Sequence, residues 1–244
     1  MKTVEKREVY SSQSAEYIKN SEPGKFHKLI SDTFIIKMEN GNQGYAIRHL
    51  NGKDMILIDT TEKGAQKAVK HLKEDGYQIN AIILTHKGAI ANAYDSLKTI
   101  SEDAGGAPIF THPMNVNDST FSVKDISVKN KIFDHFSLIV HDFPSKSGEA
   151  TVLYTDINEG MLFAGCSATG SDYDSEEKGF KRPDLGSENK NYSLSESWGG
   201  IIHEFMYFFP HKGKPAFNLT EGEQKDLILA LSDSKKPNSV NPNL

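Results

Sequence analysis

Between Met55 and Leu97 the apolar positions change rhythm twice. Met55 to Ile58 is a short apolar run halted by Asp59 and the hydroxyls of Thr60 and Thr61, the pattern of a buried strand. Ala65, Ala68, Val69 and Leu72 then recur at helical spacing, opposite Lys67, Lys70, Lys73 and Glu74, and Gly76 closes the predicted helix. Ala81 to Leu84 predicts a second buried strand. His86 stands just past its carboxyl end, where α/β folds tend to place their chemistry, and the turn Thr85-His86-Lys87-Gly88 feeds a second helix.

Upstream, the apolar residues of 26–38 and 44–47 flank the turn Glu39-Asn40-Gly41-Asn42, and Asn51-Gly52 marks another hairpin, so three strands in a meander are predicted before the first helix. Downstream, strands are predicted at Ala107 to Phe110, Phe136 to His141, Ala150 to Tyr154, Met161 to Ala164 and Phe205 to Phe209. The stretch 115–130 is polar and reads as an excursion, 142–149 as a loop, and 167–191 as a long loop of the kind that carries function. Tyr192 to Glu204 predicts a serine-capped helix weakened by Gly199-Gly200, and 219–231 a helix capped by Thr220 with Glu223 three residues on. The organisation expected is a polar arm over 1–24, one domain over 25–231, and a tail over 232–244 whose composition favours disorder. Strands, two helices, more strands and further helices predict an α/β two-sheet sandwich with helices outside.

Composition narrows the function classes. A chain of 244 residues, 37% hydrophobic, can bury a large core. Acidic residues outnumber basic ones by 33 to 28 with no polybasic block, so no nucleic-acid partner is expected. No apolar run approaches the roughly 20 residues that span a bilayer. The first residues lack the apolar core of a secretory signal, and the single cysteine, Cys166, forms no internal disulfide; a cytoplasmic location without membrane contact is expected.

The strand, loop, helix and strand ending in Leu84-Thr85-His86 resemble the metallo-β-lactamase superfamily, above all its glyoxalase II-like hydrolases. There the first strand ends in an aspartate and the second runs into THxHxDH, which holds a pair of zinc ions. The resemblance covers about Phe26 to Leu219 and implies a four-layer αββα sandwich. It aligns Phe143 to Tyr154 with TPGHTPGSVVLY, Met161 to Cys166 with LLFTGD, Lys181 to Gly186 with GRTDLPG, and Pro210-His211-Lys212-Gly213 with PGHG. On that register Gly88, Ile90 and Ala91 occupy the second histidine, the aspartate and the third histidine of the motif; Lys146 replaces a further histidine and Cys166 the metal-bridging aspartate. His86 and His211 keep their imidazoles, and Asp59 keeps the aspartate that organises the metal loop.

Glycine, isoleucine and alanine side chains coordinate nothing, and a lysine ammonium repels zinc. The resemblance therefore implies a degenerate metal site without the family's hydrolytic mechanism. One reading is a pseudoenzyme with no metal cofactor, binding a small anionic molecule or a protein partner in the old cleft, bordered by His86, Lys146, 166–191 and His211. Lys146, Lys87 and Lys212 make that cleft basic, which favours a carboxylate, thioester or phosphate ester. The alternative is a hydrolase of a (thio)ester or similar substrate, using one relic zinc on His86, Cys166 and His211, or Cys166 as a nucleophile activated by His86 or His211. A third is a scaffold whose cleft is filled by Ile90, Tyr94 or Phe143. Each residue also has a plainer use: Cys166 as a small core side chain, the two histidines as hydrogen-bond partners at strand ends, Asp59 as a turn cap.

Overall fold

In the computed structural model the described residues are 14–38, 40–61, 65–91, 94–115, 123–146, 148–176 and 179–233; the side chains of 91, 94 and 95 are not among them. The chain divides into two compact units, Ser21–Val140 and a second made of Met1–Asn20 with His141–Leu244.

The first unit holds a seven-stranded sheet in sequence order: β1 (Phe26–Ile30), β2 (Thr33–Lys37), β3 (Gln43–Arg48), β4 (Asp54–Ile58), β5 (Gln78–Ile83), β6 (Ile109–Thr111) and β7 (Val123–Asp125). The first four strands are antiparallel and the rest add in parallel. Four strands, not three, precede the first long helix, because Phe26 to Met38 folds back on itself at Ser31-Asp32. Arg48 pins that turn: its guanidinium donates to Asp32 Oδ1 at 2.8 and 3.0 Å, and its N–H donates to Asp32 O at 2.7 Å. β7 corrects the reading of 115–130 as a polar excursion: a short edge strand with one neighbour needs no apolar run to form. The two hairpins marked by Asn-Gly form as expected, with Gly41 and Gly52 both at positive φ.

Residues 14–20, in the other unit, form α1. α2 (Ala65–Glu74) buries Ala65, Ala68, Val69 and Leu72, the four residues of its apolar stripe, and ends where Gly76, φ 89°, donates to Lys73 O at 2.9 Å. α3 (Lys87–Ala91), α4 (Tyr94–Asp103) and α5 (Lys131–His135) complete this unit. Its core joins one face of β4 and β5 to the helices through Leu57, Ile82, Val69, Leu72, Leu97 and Ile100.

The second unit is built on a four-stranded sheet of order β13-β10-β9-β8, with β8 (Leu138–Ser145) running across the unit boundary, β9 (Gly148–Thr155), β10 (Met161–Gly165) and β13 (Tyr207–Pro210). β10 is antiparallel to β9 and parallel to β13. Within 142–149 the described residues are strand up to Ser145 and again from Gly148, with Lys146 in the turn, so the predicted loop shrinks to a hairpin. Pro144 is tolerated there because β8 is the sheet edge. A small ladder of β11 (Thr169–Gly170) and β12 (Phe180–Lys181) interrupts 167–191.

α6 runs Glu188–Gly199, four residues earlier than the apolar pattern suggests, because Ser187 is its N-cap, accepting from Lys190 N–H, and Gly199-Gly200 end it. α7 (Glu221–Ser232) carries the predicted capping box, with Thr220 Oγ1 accepting from Glu223 N–H and the Glu223 carboxylate accepting from Thr220 N–H at 2.7 Å. Trp198 is fully buried among Phe143, Phe208 and the Leu227–Leu231 face of α7. Of the polar arm, residues 14–20 are helical and bury Ile18, while 1–13, like 234–244 of the tail, lie outside the described residues. Among the described residues no helix is long and apolar enough to cross a membrane.

Candidate functional site

β4 and β5 run parallel, so the residues that follow them, Asp59 and Thr85-His86, emerge at one end of the sheet. Asp59 adopts a left-handed conformation, φ 49°, and its N–H donates to Ile83 O at 2.9 Å. The turn is held close against β3, where a Cβ at Gly44 would stand 2.8 Å from Thr60 Oγ1 and 2.9 Å from Asp59 O. Glycine at position 44 is what lets the aspartate loop lie there.

Asp59, Thr85 and His86 are buried and joined in a chain. Asp59 Oδ1 accepts from Thr85 N–H at 2.8 Å, and Asp59 Oδ2 accepts from Thr85 Oγ1–H at 2.6 Å. Thr85 Oγ1 lies 3.0 Å from His86 Nδ1. A hydroxyl has one proton, and here it goes to the carboxylate, so Nδ1 is the donor of the second bond and Nε2 carries the lone pair. Burial pushes the His86 imidazole below its usual range, against the pull of the Asp59 charge, so it is held neutral. Asp59 thus does more than cap a turn: through Thr85 it fixes the tautomer of His86. A side chain at Gly88 would press on the Nε2 edge of that ring, 3.3 Å away. Ile90 is 5% exposed and belongs to the apolar core, and Ala91 lies in α3 beside it.

The other predicted residues sit in the second unit, at the corresponding end of its own sheet. Cys166 follows β10 and His211 follows β13; these strands are parallel neighbours with Gly165 opposite Pro210, and His211 N–H donates to Gly165 O at 3.0 Å. Cys166 is half-buried against the core, and His211 is buried. Next to them two chain segments cross with no room for side chains: Gly170 N–H donates to Lys212 O and Lys214 N–H to Ser171 O, both at 2.9 Å. A Cβ on Gly213, φ 84°, would run into the Gly170 backbone, and one on Gly170 into that of Lys214.

Lys146 is exposed in the β8–β9 turn. That turn lies at the same end of the sheet as Cys166 and His211, since β9 is antiparallel to β10. A second ammonium supports it: Lys190 Nζ donates to Ser145 O at 3.3 Å and to Lys146 O at 3.4 Å. Asp184, in the segment aligned with GRTDLPG, accepts from Asn191 and from Gly186 N–H; those bonds, with Lys146 nearby, hold its carboxyl below the usual range. Arg182 of the same segment is mostly buried, donating to Ser195 Oγ and to Asp233 O.

His86 and Asp59 therefore lie together in one unit, and Cys166 and His211 together in the other with Lys146 at the same sheet end. Of the residues suggested as cleft fillers, Ile90 and Phe143 each pack in the core of their own unit. The His141 ring lies tilted beside that of His203, which in turn stacks on Tyr154. Sequence spacing missed one group altogether: among the described residues, His49, Asp54 and His135 place metal-type donor atoms within 4.8 Å of one another. His49 and Asp54 share one hairpin but His135 lies 81 positions beyond Asp54 in the chain, and no local motif announces the three.

No protein-family model and no curated protein matches the sequence. Solved structures do match. The chain is similar to the VMB-1 structure, at 18% identity and a TM-score of 0.58 over 84% of this chain and 96% of that one. It is similar to the DIM-1 metallo-β-lactamase, at 14% identity and 0.59 over 84% and 96%. A third is the metallo-β-lactamase FIM-1 from Pseudomonas aeruginosa, solved in a mono-zinc form, at 15% identity and 0.58 over 88% and 98%. At these identities the agreement is one of backbone, and it is enough to conclude that this chain has the metallo-β-lactamase fold, an α/β architecture carried by a very different sequence.

Proposed function

We propose that this protein is a divergent member of the metallo-β-lactamase superfamily that has given up zinc-dependent hydrolysis and binds a small anionic molecule through the loops at the strand ends. The observation that carries the reading is the pair of ammonium groups at the β8–β9 turn, Lys146 and Lys190, where the resemblance calls for a zinc-binding histidine. Lys212, exposed beside His211, adds a third positive charge among the loops of the same unit. Clustered positive charge attracts a carboxylate or phosphate and repels a metal ion. The other unit supports the same reading. Both oxygens of Asp59 are engaged by Thr85, and Gly88 and Ile90 supply no donor. Without a metal there is no lowered-pKa water to attack an ester.

The test is thermal unfolding of the protein with simple carboxylates and phosphate esters. A stabilising anion is expected to lose on the order of tenfold in affinity on Lys146→Gln, about 1.4 kcal/mol, with the unliganded protein unfolding as before. A panel without effect, or one insensitive to Lys146→Gln, argues against the reading. A protein partner in place of a small molecule would leave the same loops as its footprint.

One observation favours the alternative, an active hydrolase: Cys166 and His211 do stand at adjacent strand ends. A thiolate and an imidazole suit zinc, and a thiol beside an imidazole suits acyl transfer. That reading requires either zinc that disappears on His86→Ala or His211→Ala, or fast alkylation of Cys166 by iodoacetamide at neutral pH.

A further inference from the structure

The hairpin joining β3 to β4 folds around Asn51. Its Oδ1 accepts from Lys53 N–H and Asp54 N–H, both at 3.0 Å, and its Nδ2 donates to Asp54 Oδ2 at 2.7 Å. Asn51 N–H donates to His49 Nδ1 at 3.2 Å, and His49 N–H donates to Asp54 O at 2.8 Å. One asparagine thus sets both the His49 ring and the Asp54 carboxylate. The third member arrives on a short helix: α5 is N-capped by Asn130, which accepts from Ile132 and Phe133 N–H, and it ends at His135. His135 Nε2 meets Asp54 Oδ2 at 2.8 Å, and its ring lies against that of His49, with centroids 3.8 Å apart. Phe136, fully buried, meets both imidazoles edge-on from beneath.

We infer that His49, Asp54 and His135 form a binding site for one divalent transition-metal ion of the zinc type. Two imidazoles and a carboxylate are a borderline donor set that zinc accepts, with solvent completing a tetrahedron. Bonds of about 2.0–2.2 Å put the ligand atoms of such a tetrahedron roughly 3.4 Å apart, and the three donors lie within 4.8 Å of one another, with His135 Nε2 and Asp54 Oδ2 2.8 Å apart. Side-chain adjustment of about an ångström closes the site. The proton between His135 Nε2 and Asp54 Oδ2 occupies the place the ion takes; on binding it leaves Nε2 for Nδ1 or for solvent, and His49 frees a lone pair by giving up either the Asn51 N–H bond at Nδ1 or the proton on Nε2, while the carboxylate stays ionised. The site opens to solvent, with the His135 side chain 39% exposed, so an ion has a route in.

This place is distinct from the strand-end loops. Asp54 opens β4 and Asp59 follows its end, a separation of roughly 16 Å along an extended strand. A metal at Asp54 would bind α5 to the β3–β4 hairpin, a structural role. The inference stands apart from the proposed anion site and survives its failure.

The test is titration of the full-length protein, stripped with a chelator, with cobalt(II) followed by its visible absorption and with zinc followed by calorimetry. One equivalent is expected. Affinity should fall on the order of 100-fold or more in His49→Ala and His135→Ala, and stay unchanged in His86→Ala and His211→Ala. No stoichiometric uptake, or uptake that survives both His49→Ala and His135→Ala, overturns the assignment. Should either variant fail to fold, ring resonances of the unsubstituted protein decide: zinc must shift those of His49 and His135, and shifts confined to other histidines overturn it.

Discussion

Replacing Gly213 with alanine is expected to lower the thermal unfolding midpoint by roughly 10 °C, the largest effect of any single methyl group placed near the predicted site. Two penalties combine. The residue has φ 84°, a conformation that L side chains rarely adopt, and its Cβ would enter the Gly170 backbone, which cannot swing aside as a flexible side chain would. Together these cost about 3–5 kcal/mol, and a domain of this size loses about 2–4 °C per kcal/mol. Gly222→Ala is the control. Its added methyl meets nothing within 4 Å, and in the first turn of α7 alanine is a better helix former than glycine, so the midpoint should hold or rise slightly. Calorimetry of the two variants checks the pair. The consequence reaches the site, because the Gly170–Gly213 crossing sets the loop after β10, with Cys166, against the loop after β13, with His211. A Gly213→Ala protein that unfolds like the unsubstituted chain would mean that this crossing is looser than described.

Asp59→Ala is expected to cost about 3–5 kcal/mol, measured by denaturant unfolding at pH 8. The substitution removes two hydrogen bonds to an ionised group, each worth about 1.5–3 kcal/mol, and leaves the buried Thr85 donors without the oxygens that accept from them. Asp59→Asn should cost less but change the chemistry. The amide can still accept from Thr85 N–H, yet it offers N–H groups where Oδ2 was, so the Thr85 hydroxyl turns to His86 Nδ1 and drives the ring proton to Nε2. Nitrogen shifts of the His86 ring read that switch directly. The pH dependence has a defined sign. Because burial holds the folded-state pKa of His86 below 6.5, its contribution to stability is complete above 6.5 and is lost as pH falls from there toward the folded value. The Asp59 charge partly offsets the burial, so removing it lowers the folded pKa further and carries the loss that begins below pH 6.5 on to lower pH than in the unsubstituted protein.

The frame of the fold was legible wherever the signal was local. The stripe Ala65, Ala68, Val69, Leu72, the helix end at Gly76, the strands on either side, and the Thr220–Glu223 box all depend on residues within one or two turns, and all appear as read. Elements fixed by distant partners were harder to see. The Ser31-Asp32 turn is secured by Arg48, from the far end of the next hairpin. The edge strand β7 follows its neighbour β6 rather than any alternation of its own. At α6 the apolar pattern pointed to a start at Tyr192, whereas the helix begins after Ser187, whose side chain accepts from Lys190 N–H, a bond that apolar spacing does not show.

The site divides along the same line. His86, Cys166 and His211 could be placed because strand ends are predictable, and His86 and Cys166 follow the β5 and β10 strands as expected. The role of Thr85 as the link between Asp59 and His86 came only with side-chain geometry, since no spacing distinguishes a bridging hydroxyl from a capping one. His49, Asp54 and His135 lay beyond reach. They meet because a hairpin and a short helix end at the same corner, with His135 81 positions beyond Asp54 in the chain.

The central claim is that the strand-end loops have exchanged metal chemistry for charge. The most direct measurement is the zinc content of protein produced with excess zinc, determined by elemental analysis beside His86→Ala and His211→Ala. The account predicts the same content in all three, because any zinc present is held elsewhere. Zinc that falls by an equivalent when either histidine is removed would contradict it, and would restore a metal-dependent hydrolase as the better description of this protein.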